Sequence, residues 1–90
     1  MIIVSQDKKR IINFKNITDI NIEFIHSDYE LRASFIGECE SFNIGNYEEE
    51  ERAKEVLAEI IKSYRDYRTA ECDGYTNVLQ ETAVFEMPED

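Results

Sequence analysis

The chain has no tryptophan, one proline, three glycines, one histidine and two cysteines in 90 residues, and ten lysines and arginines face twenty aspartates and glutamates. Each shortage excludes something. Three scattered glycines, at 37, 45 and 74, build no phosphate-cradling glycine-rich loop. Cys39 and Cys72 match no CxxC or zinc-ligand spacing. No secretory signal opens the chain, so two reduced thiols in a cytoplasmic protein are expected. His26 is the only imidazole, and neither cysteine nor any serine sits in a nucleophile motif. No calcium-loop spacing is present, and no apolar run approaches the roughly 20 residues of a membrane-spanning helix. These absences point away from an enzyme, a metal, a cofactor and a membrane anchor, and toward a binding protein.

What is present is charge and alternation. The net charge is −10. Residues 1–47 hold seven acids and five bases, residues 48–90 thirteen acids and five bases. The basic stripe of a nucleic-acid binder is missing, and a field of this sign repels phosphate backbones. The one basic run, Lys8-Lys9-Arg10, reads as a solvated hairpin tip beside Asp7. Forty-two per cent hydrophobic residues with five tyrosines and five phenylalanines is the composition of a folded domain.

Patterning gives an α+β chain with one domain over residues 1–90. Residues 1–46 read as a small antiparallel sheet of four to five strands in a meander, since connections this short do not permit parallel crossovers. Met1–Ser5 and Arg10–Phe14 flank a polar turn. In Ile17–His26 the residues Ile20, Ile22, Phe24 and His26 share a face, and Tyr29, Leu31, Ala33 and Phe35 share one in the following run. Phe42 and Ile44 mark a last short strand. From 47 to 68 the period changes: Ala53, Val56, Leu57, Ile60, Ile61, Tyr64 and Tyr67 form the stripe of a long amphipathic helix. Asn46 is placed to cap it, Glu48–Glu51 favour its positive end, and Glu48–Arg52 and Glu50–Lys54 pairs are spaced to support it. Residues 69–90 read as a loop and a C-terminal arm, with Ala83–Met87 as one more strand or an extended arm. So long an apolar stripe over so short a sheet invites a second copy of the chain.

The final helical turns place Arg65 and Arg68 beside Tyr64 and Tyr67, and Asn77 and Phe85 follow on the loop and arm. Guanidinium groups fork onto phosphates and aromatic rings stack on bases, which makes this cluster a candidate nucleotide site. The alternative is that the tyrosines finish the core stripe and the arginines satisfy terminal carbonyls.

The opening MIIVSQDKKRIINFKNITDI, the segment from Gly45 through EEERAKEVLAEII and the ending FEMPED resemble small proteins of Firmicutes phages and prophages, and in organisation the Thoeris anti-defence 1 family. That resemblance implies a homo-oligomeric sponge that binds a cyclic ADP-ribose-type messenger without cleaving it. Family ligand sites use arginine, asparagine and aromatic side chains, for which Arg65, Arg68, Asn77 and Phe85 are the candidates here. Two other functions fit the residues: an acidic, nucleic-acid-mimicking inhibitor of a basic defence effector, with Glu48–Glu51, Glu55 and Glu59 along one helix face, and a structural adaptor with no ligand.

Overall fold

A computed structural model of the chain describes residues 1–72 and 84–90, the side chains of 68–72 excepted. Six strands and one long helix follow in the order β1 (Ile2–Val4), β2 (Ile11–Asn13), β3 (Ile17–Ile25), β4 (Asp28–Phe35), β5 (Phe42–Tyr47), α1 (Glu50–Cys72) and β6 (Val84–Glu86). The class is α+β with a single helix after the first five strands.

The strands do not form one meander. They divide into two three-stranded sheets, ordered β2-β1-β6 and β3-β4-β5. The division has a local cause. After β2 the chain enters a 3-10 turn at Phe14–Asn16, capped by Asn13, whose Oδ1 accepts the Lys15 amide at 3.0 Å. That turn redirects β3 away from β2, so it pairs only with β4. The C-terminal arm is a strand, and it runs parallel to β1 with Phe85 opposite Ile3. Parallel pairing is possible there because the whole helix lies between β1 and β6, whereas the short N-terminal connections allow only antiparallel neighbours.

In β4 Leu31 and Ala33 are fully buried, with Tyr29 and Phe35 partly so, but Glu30, on the face expected to be wet, is buried as well and pairs with Arg32 at 2.7 Å. In β3, Ile20 and Ile22 pack against the core, but Phe24 at the far end is 64% exposed, tilted against Tyr29 with ring centroids 4.8 Å apart. His26 does not extend that face. His26 and Ser27 have φ of +51° and +69° and join β3 to β4 as a two-residue turn with Ile25 opposite Asp28. Positive φ at both central residues is the type I′ geometry that matches the strand twist.

β5 contains a bulge. Its register against β4 shifts between Leu31↔Gly45 and Arg32↔Asn43, so Ile44 is the extra residue and both Ile44 and Gly45 are buried. The Asn43 side chain stabilises the kink by accepting the Gly45 amide at 2.8 Å. This strand also joins the two sheets, because the Gln6 amide donates to the Ile44 carbonyl at 2.9 Å.

The helix starts at Glu50, three residues later than its periodicity predicts, because β5 continues to Tyr47. Asn46 therefore lies inside β5 and caps nothing; its side chain accepts from Asn43 and its amide donates to the Gln6 side chain. Glu50 and Lys54 pair at 3.0 Å, whereas Arg52 reaches Glu55 at 3.1 Å rather than Glu48. Ala53, Val56 and Ile60 are buried and Leu57, Tyr64 and Tyr67 flank them, but Ile61 turns outward at 51% exposure. The stripe is thus spent on this chain's own sheets, where Ile3, Leu31, Ile44 and Met87 complete the core. Among the described residues no helix is long and apolar enough to cross a membrane.

Candidate ligand-binding site

The first hairpin owes its shape to one serine and one aspartate. Ser5 Oγ donates to Asp7 Oδ1 at 2.6 Å, the Lys9 amide donates to the same oxygen at 2.9 Å, and the Arg10 amide donates back to Ser5 Oγ at 3.1 Å. The Ser5 hydroxyl and the Lys9 amide hold the Asp7 carboxyl below its ordinary range. Lys8 takes φ of +61° at the tip. The net result is a turn that commits its only acid to its own backbone and leaves Lys8, Lys9 and Arg10 facing outward.

Arg10 is then delivered to a ring. Its guanidinium lies 4.3 Å from the centroid of Phe42, which packs against Phe35 with centroids 5.5 Å apart. A cation over an aromatic face in this geometry is favourable by about 0.5–1 kcal/mol where exposed. Arg10 and Phe42 form part of the wall of a cleft of about 540 Å³ between the open side of β2 and the end of β4. Asn13 and Asn16 supply amides, Ile11 and Ile36 supply apolar walls, and Glu38 supplies one carboxylate. Ile11 and Ile36 are 76% and 66% exposed. With Lys15 nearby in sequence, residues 8–15 carry four of the ten cations of this acidic chain and no acid. The cleft opens on the most basic stretch of the chain.

A second cleft, of about 660 Å³, has the opposite character. Asp28, Glu48, Glu49, Glu89 and Asp90 line it together with Tyr47 and Arg52. Arg52 holds one wall by donating Nε to the Asp90 carbonyl at 2.8 Å. A ring of carboxylates rejects an anion, and among the described residues no group of His, Cys, Asp or Glu side chains is arranged to hold a metal ion.

No family model, curated protein or solved structure matches this chain. Of the four residues named from the sequence, Arg65 is exposed on α1, and Phe85 sits in β6 packed against the core. The Arg68 side chain and Asn77 lie outside the described residues. Neither Arg65 nor Phe85 lines either cleft. Tyr64 stacks on Phe14 at 4.7 Å and leans toward Tyr67 at 6.2 Å, so both tyrosines finish the core stripe. Sequence reading missed Arg10, because its value depends on Phe42, which only the pairing of both sheets brings beneath it. A basic run of three in a chain of net charge −10 was the one available signal.

Proposed function

We propose that the protein is a non-catalytic sponge of the bacterial cytoplasm, which sequesters a cyclic ADP-ribose-type nucleotide in the Arg10–Phe42 cleft. The observation that carries this reading is the guanidinium held over Phe42 at 4.3 Å, flanked by the Asn13 and Asn16 amides. Arginine forks onto phosphate oxygens, amides pair with the edges of a base or with ribose hydroxyls, and Phe42, Ile11 and Ile36 offer apolar surface to a base. A volume of about 540 Å³ falls inside the usual range of small-molecule sites, roughly 300–1,000 Å³. The same three residue types are those that the Thoeris anti-defence 1 resemblance implies.

Calorimetric titration with a cyclic ADP-ribose isomer tests the reading. Wild type binds, and Arg10→Ala loses at least tenfold in affinity, as expected when a charge-assisted hydrogen bond worth about 1.5–3 kcal/mol is removed. Arg65→Ala, away from the cleft, leaves affinity unchanged. Absence of heat with wild type removes the proposal. The acidic cleft around Arg52 supports a second reading, an inhibitor that docks a basic effector. Capture of a basic protein that is lost on Glu48→Lys together with Glu49→Lys, with no nucleotide heat, selects it.

A further inference from the structure

We propose that two copies of the chain pair antiparallel through their β3 edges, forming one six-stranded sheet. The inference is independent of the nucleotide reading. The type I′ turn makes Ile25 and Asp28 a hydrogen-bonded pair, so the alternation along β3 turns the N–H and C=O of Glu23 and Asn21 toward β4. It turns those of Ile20, Ile22 and Phe24 the other way. Among the described residues nothing pairs with that side of β3.

The other three sheet edges are poor templates. β2 and β6 have three residues each. Gln6 occupies β5: its amide donates to Ile44 O, and its side chain exchanges hydrogen bonds with the Asn46 backbone. β3 has nine residues and neither lysine nor proline, the usual devices that blunt an edge. Its bulge lies at the start, between Ile17 and Asp19, and leaves residues 20–25 regular.

A second copy fits this edge because the strand is self-complementary about Ile22. A two-fold axis there sets Ile22 opposite Ile22 of the second copy, and Ile20 opposite Phe24, so the outward-facing groups of all three residues meet in hydrogen-bonded pairs. On one face the exposed Phe24 is covered by the second copy's Ile20. On the other, Glu23 stands opposite Asn21, and no two like charges are directly opposed. An axis at Asn21 keeps the backbone pairing, with Ile20 opposite Ile22, but opposes Asp19 to Glu23 and leaves Phe24 away from Ile20. A two-fold at Ile22 is the register that the edge chemistry selects.

Sedimentation equilibrium at micromolar concentration, with circular dichroism as a folding control, tests the proposal. Wild type sediments at twice 10.6 kDa. Phe24→Lys puts a charge on the edge, and Ile22→Pro removes an N–H that no intrachain ladder uses; both sediment as monomers. Ile22→Cys, in a Cys39→Ser, Cys72→Ser background, cross-links to itself on mild oxidation, because hydrogen-bonded antiparallel partners lie about 5.5 Å apart, within disulfide reach. Asn21→Cys, whose partner position is Glu23, does not. A monomeric wild type, or an oligomer that persists in folded Phe24→Lys, overturns the proposal.

Discussion

Tyr47 is a residue whose side chain does two jobs. It is buried in the core, and its hydroxyl donates to the Pro88 carbonyl at 2.8 Å, which fastens the C-terminal segment. Burial pushes its pKa from 10 up to about 12; Arg52 opposes the shift slightly and Glu59 adds to it. The neutral phenol is therefore favoured in the folded state. Its contribution is fully present below pH 10 and is lost as pH rises toward 12, amounting to about 2–3 kcal/mol. Urea titrations across that window will show wild type losing stability with rising pH, while Tyr47→Phe stays flatter. At neutral pH the variant costs about 1 kcal/mol, since the Pro88 carbonyl keeps its hydrogen bond from Gln6. Arg32 shows how a residue on the wet face of a strand can still be structural. It binds Glu30 at 2.7 Å and reaches Ser41 through Nε and a terminal nitrogen at 2.8 and 2.7 Å, tying β4 to the approach to β5. Gly45 packs closely: an added Cβ would lie 3.0 Å from Met87 Cε and 3.1 Å from the Tyr47 ring, and those side chains would have to give by a few tenths of an ångström.

At the scale of elements, the β3–β4 hairpin is held by a turn whose residues suit it poorly. A type I′ turn prefers Asn-Gly, and His26 and Ser27 take left-handed backbone that costs about 1–2 kcal/mol for an ordinary residue. The double change His26→Asn, Ser27→Gly will raise stability by about 1 kcal/mol, read as a higher urea midpoint at unchanged slope. A lower midpoint would show that the histidine contributes something the turn geometry does not reveal. The helix illustrates the reverse case, a strong local signal followed closely. Its apolar period, its Glu50–Lys54 pair and its acidic first turn all agree. Within the apolar stripe Ile61 alone departs, 51% exposed, because sheets this narrow accept a stripe two residues wide and leave the third flank to solvent.

For the whole molecule, Gln6 joins parts distant in the sequence. Its side chain donates to the carbonyls of Asn46, Pro88 and Glu89 and accepts the Asn46 amide, linking the first hairpin, β5 and the C-terminal segment. Beside it the Met87 amide donates to the Val4 carbonyl, and the Met87 side chain fills the core. Gln6→Ala will cost about 1–2 kcal/mol, and hydrogen exchange at Phe85–Met87 will quicken more than exchange in the middle of α1. Equal acceleration in both would mean that β6 opens only with the whole protein.

Period-2 alternation and the switch to a 3.6 period fixed five of the six strands, the helix and most of the core in advance, because side-chain burial follows backbone period wherever one face meets apolar neighbours. Charge placement likewise foretold the Glu50–Lys54 pair and the outward basic hairpin. The division into two sheets was not legible, since it depends on a 3-10 turn of three ordinary residues and on β6, whose partner β1 lies at the other end of the chain. The Arg10–Phe42 contact and the two clefts were hidden for the same reason. Local pattern says which face of an element is wet, but which residues from separate elements meet is decided only when the elements pack.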